Sequence, residues 1–384
     1  MPKDTPELAI SGAQLAAVVE EKVVQGAEAE VSQGEVADYA KTPSKHDRSE
    51  PPLSAPPVLK VPEIWSQTLA NGIDVIGIED YEVPLVTFSL VLPGGQWLDA
   101  PARSGAAALL AKLSMQGTLN RTSAELEEAI GLLGADIRID GGREALTLTA
   151  TTLERNLEAT VTLVEEILLE PRWDEAEFER LRREAEANII SAEGNPNALA
   201  SRAIARVLYG ADHPYGIPLG GTRESVAAMT LDDLKAWHAA NLTPAGAKLQ
   251  VVGAVNGDRV VAALTSLVEK WQGEALELPE LTLSEAPTGQ SVYFIDVPGS
   301  KQSVIRVGKR GLMSDHEDYA RLDFANERLG GGSSARLMQL LRIEKGYTYG
   351  AYSGLRRMIN EISPWAASTS VRANVTLESL QLIR

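Results

Sequence analysis

The sequence predicts an α+β fold made of two copies of one unit, each a mostly antiparallel sheet with helices packed on one side. Segments with alternating apolar and polar residues, typical of strands, are interspersed with segments whose apolar residues recur at helical spacing. The order strand–strand–helix–helix–strand–strand begins near Trp65 and begins again near Ser291. The second copy is incomplete within this sequence, because it reaches only the first turns of a helix after Thr376.

Turn and capping residues predict most elements of the first copy. Asn71-Gly72 marks a hairpin turn, because both residues tolerate the positive φ angles of such turns. Ser123 caps a helix, and Pro171 separates two long amphipathic helices. We predict strands at Trp65–Asp80 (a hairpin), Leu85–Gly95 (central), Asp136–Leu153 (two strands around Gly141-Gly142) and Lys248–Val255, and helices at Ser104–Gly117, Ser123–Gly134, Glu154–Glu170, Asp174–Ala192, Ala198–Tyr209, from Thr230 and at Asp258–Trp271.

The second copy repeats this pattern with little sequence identity. Its predicted strands are Ser291–Pro298, Ser303–Leu312, Tyr349–Ser353 and Ala367–Asn374, and its predicted helices are Asp318–Leu329, Ala335–Glu344 and the turns from Thr376 to Arg384. A complete second copy needs about 100 more residues if the two domains match in size. We therefore expect the chain to be a fragment or a truncated product.

Changes in composition divide the chain into four parts. Residues 1–60 form an acidic leader or linker that contains Pro51, Pro52, Pro56 and Pro57. A short helix at 12–26 is predicted there, and a disordered acidic tail is the alternative. Residues 61–272 and 290–384 form the two domains, with 273–289 as a connector between them.

Composition excludes several classes of protein. The 384 residues include no cysteine, which removes disulfides, cysteine proteases and cysteine-ligated metals. The 53 acidic and 36 basic residues give a net charge of −17, which disfavours nucleic-acid binding. There is no apolar run that could span a membrane and no signal-peptide pattern at the start. The histidines are far apart in sequence, so none forms a local metal-binding pair: His46, His213, His238 and His316.

Several segments carry a resemblance to a known family. They are Gly94–Asp99, Ser104–Thr118, Thr122–Leu126, Leu133–Ala135, His213–Gly216, Gly220–Ser225, Leu249–Val255, Leu329–Leu337 and Leu341–Gly350. In this order they resemble the M16 family of zinc peptidases, the pitrilysin, insulinase and mitochondrial processing peptidase group. The resemblance covers about Val61 to Arg384 and implies two M16-type (LuxS/MPP-like) repeats, here of bacterial type.

The resemblance implies a degenerate zinc site. Active members carry His-x-x-Glu-His on the first long helix, where the histidines bind zinc and the glutamate activates a water molecule. Alignment on Gly105 and Gly117 places that motif on Ala108, Ala111 and Lys112, none of which can replace its counterpart. The family's third ligand falls near Glu184 and Glu186, which without the histidines are expected to be solvated helix charges. We predict no metal on this chain.

A second feature of the family is retained. Active members use an arginine and a tyrosine, spaced Arg-x6-Tyr, that meet the scissile carbonyl from the domain facing the zinc. Arg342 and Tyr349 have this spacing, and Tyr347 is the competing tyrosine. A phenol and a guanidinium can stabilise the oxyanion of peptide hydrolysis. The alternative is structural, with Arg342 at a helix C-terminus and Tyr349 as strand packing.

These features together predict the non-catalytic half of an M16 metallopeptidase. Such a half supplies Arg342 and Tyr349 to a zinc-bearing partner, either fused upstream or a separate subunit, that cleaves peptides. Zinc is then the cofactor of the partner half, and this chain alone is inactive. The alternatives are a catalytically dead structural subunit of the M16 fold and an unrelated α+β binding module. The compartment is the periplasm or cell envelope if a signal peptide lies upstream, and the cytoplasm otherwise.

Overall fold

The computed structural model describes residues 61–384 apart from 282, 284, 286–288 and 359. Of the leader it describes only residues 45–47, 49, 52, 54, 55 and 58, so the predicted helix at 12–26 lies outside the described residues. None of the helices in the described part of the chain has the length and apolar character needed to cross a membrane.

Two sheets and a small ribbon are formed by eleven described strands. The strands are β1 Ile64–Thr68, β2 Asp74–Glu79, β3 Leu85–Pro93, β4 Gly117–Thr118, β5 Arg121–Thr122, β6 Asp136–Gly141, β7 Ala145–Leu153, β8 Lys248–Gly253, β9 Gln302–Arg310, β10 Thr348–Leu355 and β11 Pro364–Arg372. The helices are α1 Ala106–Ser114, α2 Ser123–Leu132, α3 Leu157–Leu169, α4 Glu175–Glu193, α5 Pro196–Tyr209, α6 Arg223–Ala227, α7 Leu231–Asn241, α8 Gly257–Ala263, α9 Thr265–Lys270, α10 Tyr319–Asn326, α11 Arg336–Met338 and α12 Thr376–Ile383.

The first sheet has the strand order β1-β2-β8-β3-β7-β6. All neighbouring pairs are antiparallel except β2 and β8. The hairpin at Asn71-Gly72 is confirmed, with Thr68 opposite Asp74 and a φ angle of 88° at Gly72. The prediction of a central strand after Leu85 is also confirmed, because β3 lies between β8 and β7.

Helices cover one face of this sheet. Every second residue of β3, β7 and β8 is buried, while the residues between them stay partly or fully exposed. The buried residues form one apolar core with α1, α3 and α7, in which Leu148, Ile167 and Leu234 are fully enclosed. Each such side chain contributes about 1.5–3 kcal/mol through its removal from water. The predicted α+β class is therefore confirmed for this unit.

The second sheet, β10-β11-β9, repeats part of the first, β6-β7-β3, in the same register. Leu85 pairs with Leu153 at one end of the β3–β7 pair, and Gln302 pairs with Arg372 at the matching end of β9–β11. Both β7 and β11 are nine residues long and continue through a short 3-10 turn into a helix, α3 or α12. This agreement confirms the predicted two-fold repeat.

The strand predicted at 291–298 is wrong, because the described residues there form no strand. The first sheet supplies the reason. Segment 291–298 has the place in the repeat that β2 has in the first unit. In the first sheet β8 lies between β2 and β3, so a strand at 291–298 needs a counterpart of β8 as its neighbour. Within the described residues no strand occupies that place beside β9. Without a hydrogen-bonding neighbour, an extended segment leaves its backbone groups to water.

Three smaller predictions are corrected by capping and helix geometry. The side chain of Thr122, rather than Ser123, caps α2, in a capping box with Glu125. The single helix predicted at 258–271 is two short helices, α8 and α9. After α11 the backbone continues as a wide π-helical turn, Gln339–Glu344, so that the predicted helix over 335–344 is largely π-helical.

The helix layer of the second unit is open to solvent. Its α10 follows β9 as α1 follows β3, but α1 is covered by α4 and α7. Phe324 of α10 is 81% exposed, whereas seven of the nine residues of α1 are buried. The described residues after β11 supply no helices comparable to α4 and α7.

The two units touch through α5. This helix of the first unit packs on β9, on the face of the second sheet that its own helices leave free. Gly308 lies at this contact, where an added Cβ atom would be 2.7 Å from Ile204 Cδ1, so the Ile204 side chain would have to shift. Arg310 Nε donates to the carbonyl of Leu208 at 2.6 Å, which fixes the C-terminal end of α5 to the strand.

Candidate functional site

The degenerate motif lies on α1, which is held tightly at both sides. Asp99 accepts hydrogen bonds from the backbone N–H groups of Gly105, at 2.7 Å, and Ala107, at 3.0 Å. On the other side the backbone of β6 touches the helix, since a Cβ atom on Gly141 would lie 2.6 Å from Ala107 O. Burial raises the pKa of Asp99 to about 6, although the N–H donors oppose the shift.

A lysine–glutamate ion pair lies where the resemblance to active M16 members predicts part of their zinc motif. Lys112 Nζ lies 3.0 Å from Glu184 Oε1, and both side chains are about half exposed. Glu184 is one of the two glutamates, with Glu186, near which the resemblance places the family's third zinc ligand. Lys112 also lowers the pKa of Glu184, chiefly through their hydrogen bond, which favours the carboxylate form. Glu186 faces elsewhere, with its Oε1 3.7 Å from Arg182 Nη1.

The residues at this position do not fit zinc. Two alanines offer no lone pair, and an ammonium group repels a cation, so one carboxylate remains as a possible ligand. Among the described residues there is also no other cluster of three His, Cys, Asp or Glu side chains that could hold a metal. His238 instead hydrogen-bonds the carbonyl of Leu168 through Nε2 at 2.7 Å.

Arg342 and Tyr349 lie at the two ends of a short connection in the second unit. Arg342 is in the last turn of the π-helical segment, where its carbonyl accepts from Gly346 N at 3.1 Å. Tyr349 is the second residue of β10 and is 88% exposed. Neither side chain hydrogen-bonds or ion-pairs with any described residue. Both polar groups are therefore available to a ligand or partner.

The structure separates Tyr349 from the competing Tyr347. Tyr347 is partly buried and packs on the core formed by Leu337, Leu341 and Ala351. In a regular strand, residues 347 and 349 would point to the same face of the sheet. The pairing of β10 with β11 is irregular between Thr348 and Ala351, so this alternation does not apply to the two tyrosines. Of the two, only Tyr349 presents its ring to solvent.

An open pocket of about 280 Å³ lies beside Tyr349. Its walls come from the free face of the second sheet and the first turn of α5: Asn197, Gln302, Arg306, Thr348, Tyr349, Gly350, Tyr352, Ser368, Thr369 and Ser370. Arg306 is the one charged residue among these lining residues. No local pattern marks this pocket, because its residues come from four separate segments.

Sequence reasoning also missed a buried polar cluster between the two units. His213 Nε2 lies 3.3 Å from Glu361 Oε2, and the rings of His213, Tyr209 and Tyr215 all contact one another, with centroids 5.3–5.6 Å apart. Tyr215 donates its hydroxyl to Glu144, and Tyr209 donates to the carbonyl of Ile362 at 2.8 Å. The 210–221 loop of the first unit thereby holds the loop that joins β10 to β11.

Burial shifts the pKa of several groups in this cluster. It lowers the pKa of His213 despite the opposing charge of Glu361, so the imidazole is neutral near pH 7. It lowers the pKa of Arg143 to about 10, which leaves this arginine charged. Arg143 Nη1 donates to Gln96 Oε1 at 2.8 Å and to the carbonyl of Ile217 at 2.9 Å. These bonds tie the loop to the first sheet.

Comparisons with known proteins agree with this architecture. Residues 75–223 match the family model described as insulinase (peptidase family M16), and residues 228–384 match that of the peptidase M16 inactive domain. A peptidase M16 inactive domain from Pseudomonas fluorescens superposes with a TM-score of 0.76 at 24% identity, over 84% of this chain and 77% of that one. Pitrilysin superposes with a TM-score of 0.63 at 18% identity, over 80% of this chain and 34% of its own.

Curated relatives also have low sequence identity and cover most of the chain. An uncharacterized zinc protease of Mycobacterium leprae is 28% identical over 75% of this chain and 65% of its own length. A protein of Helicobacter pylori named as a non-peptidase homolog is 22% identical over 81% of this chain and 71% of its own. The chain thus spans less than two thirds of the M. leprae relative.

The fold is that of M16 peptidases, and its would-be metal site lacks both histidines and the catalytic glutamate. This chain belongs to the M16 family and is a member without the zinc-binding motif. The family and fold predictions are confirmed. The roles of Arg342 and Tyr349, the domain limits and the compartment stay predictions.

Proposed function

We propose that this chain is the non-catalytic half of an M16 metallopeptidase and lends Arg342 and Tyr349 to a zinc-bearing half that cleaves peptides. One contrast carries the proposal. Lys112, aligned by the resemblance with a zinc-binding histidine, is ion-paired with Glu184, while Arg342 and Tyr349 are exposed without any partner among the described residues. Exposed polar groups that make no structural contact are the kind expected at a site completed by another molecule.

The chemistry of the pair suits this role. Attack on a peptide carbonyl creates an oxyanion, and a preorganised phenol O–H can donate a hydrogen bond to it. A guanidinium can hold the peptide backbone or share the developing negative charge. Zinc held by the other half would supply an activated water molecule. This chain contributes no ligand to that metal in the proposed arrangement.

Reconstitution tests the proposal. The chain is purified and mixed with an M16 chain from the same genome that carries an intact His-x-x-Glu-His motif. Hydrolysis of a quenched fluorescent peptide is measured for each protein and for the mixture. Activity only in the mixture supports the proposal. If the partner alone is equally active, or if the two do not associate, the proposal fails.

A structural subunit is the second candidate, favoured by the name of the H. pylori relative, a non-peptidase homolog. It also predicts association with a partner. The two candidates differ in one respect, since a structural subunit tolerates loss of the Tyr349 hydroxyl and of the Arg342 guanidinium without a change in turnover.

A further inference from the structure

We propose that the pocket beside Tyr349 binds a carboxylate group of the peptide substrate through Arg306. The inference deepens the proposed function, since it assumes a peptide ligand and names the chemistry that the site selects. It concerns the free face of the second sheet, where Tyr352, Ser368 and Arg306 form a row across β10, β11 and β9. These three residues all line the pocket.

The first observation is the unsatisfied state of Arg306. Its Nε atom is buried and has no hydrogen-bond partner among the described residues. Its side chain also forms no ion pair with them, although the chain has 53 acidic residues against 36 basic ones. Because Nε itself is shielded from solvent, a ligand in the pocket would bind the terminal N–H groups of the guanidinium, and its negative charge would offset an arginine charge that no acidic side chain of the described residues pairs with.

The second observation is the charge of the surrounding wall. Apart from Arg306 the pocket is lined by neutral residues, and none of the lining residues is acidic. Asn197 lies in the first turn of α5, a helix of 14 residues, so the positive end of that helix dipole borders the pocket. Hydroxyl groups of Tyr352, Ser368 and Ser370 offer further donors. Guanidinium, helix end and hydroxyls all favour an anionic ligand.

The geometry of a carboxylate suits this donor set better than a single point charge. Its two oxygens can accept the paired N–H groups of a guanidinium, while hydroxyl groups serve the remaining lone pairs. Two sources of the group are possible in a peptide, a Glu or Asp side chain and the free C-terminus. Because Tyr349 shares the pocket, the carboxylate would lie close to the residue proposed to act at the scissile bond.

Equilibrium binding to the isolated full chain tests this inference without the partner. The probes are three peptides of otherwise identical sequence. One has a single Glu and blocked ends, one has Gln in its place and blocked ends and is neutral, and one has the Gln with a free C-terminal carboxylate. We expect one of the acidic peptides to bind at least about tenfold more tightly than the neutral one, as charged hydrogen bonds allow. Whichever peptide is preferred identifies the source of the carboxylate.

Two variants with the same loss of charge complete the design. Arg306→Gln should abolish the preference, whereas Lys309→Gln, at an exposed cation on the same strand, should keep it. Equal affinity of wild-type protein for acidic and neutral peptides overturns the inference without reliance on any variant. So does a preference that survives Arg306→Gln or disappears with Lys309→Gln. If peptide hydrolysis by the partner does not depend on Tyr349, the proposed function fails, but the preference of this chain for an acidic peptide remains.

Discussion

Lys112 Nζ lies 3.0 Å from Glu184 Oε1, in an ion pair that joins α1 to α4. The resemblance to active M16 members aligns a zinc-binding histidine with position 112 and a zinc-binding glutamate near position 184. We therefore expect the backbone at these positions to bring zinc ligands together once suitable side chains are restored, and this expectation can be tested.

Ala108→His combined with Lys112→His should create a zinc site on α1. The two positions are one helical turn apart, and Glu184 already lies beside position 112, so three ligands become available. Metal analysis after dialysis should find about one zinc per chain in the double variant and none in the wild type, as expected for a three-ligand site with an open position.

Glu184→Gln added to the double variant should remove the zinc, and Glu186→Gln is the matched control. Glu186 lies on the same helix but pairs with Arg182. A folded double variant that retains no metal would contradict the placement of the site. The placement of the site is also contradicted if Glu184→Gln and Glu186→Gln reduce the bound zinc equally.

A pair of glycine substitutions should have opposite effects on stability. Gly141→Ala places a Cβ atom 2.6 Å from Ala107 O and 2.7 Å from Ala108 Cα, so α1 must move, which should cost about 1–3 kcal/mol. Gly131→Ala lies within α2 with no atom within 4 Å and should gain up to about 1 kcal/mol. Urea unfolding measures both. If both substitutions change the free energy of unfolding equally, α1 does not pack against the backbone of β6.

Acidification should destabilise the chain through His213. Its pKa is lower in the folded protein than the ordinary value of 6.5, mainly because of burial, with Arg143 and Arg310 in the same direction and Glu361 opposed. The unfolded chain therefore binds more protons below about pH 6.5, and stability falls as the pH falls through that range. Asp99 acts in the opposite sense, because its pKa is raised to about 6 and protonation favours the folded form.

The His213 contribution is isolated by comparing wild type with His213→Asn, in which Asp99 is unchanged. Between pH 7 and pH 5 the unfolding midpoint of the wild type should decrease more than that of the variant. Parallel pH profiles would mean that His213 does not stay neutral in the folded state.

The sequence predicts the repeat of the α+β unit, but it contains no pattern that predicts the pocket beside Tyr349. Local signals sufficed for the hairpin at Asn71-Gly72 and for β6 and β7, because turn residues and alternation act within one segment. The strand at 291–298 was predicted from the same alternation, but a strand also needs a neighbour, which no local pattern specifies. The surroundings of Arg306 are formed by three strands and α5, which are far apart in sequence, so no local pattern marks this residue. The His213–Glu361 contact joins residues from the two units and likewise had no local signal.

Turnover of the reconstituted assembly with Tyr349→Phe tests the proposed function most directly. Removal of one donor to an oxyanion costs about 10²–10³ in kcat, and the variant should lose activity by that factor while the partner keeps its zinc. Arg342→Ala should be at least as damaging, because substrate orientation is lost as well. Tyr347→Phe is the matched control and should retain activity, since that ring packs in the core. Near-wild-type kcat for both Tyr349→Phe and Arg342→Ala in a folded assembly would contradict the proposal and leave the chain a structural subunit.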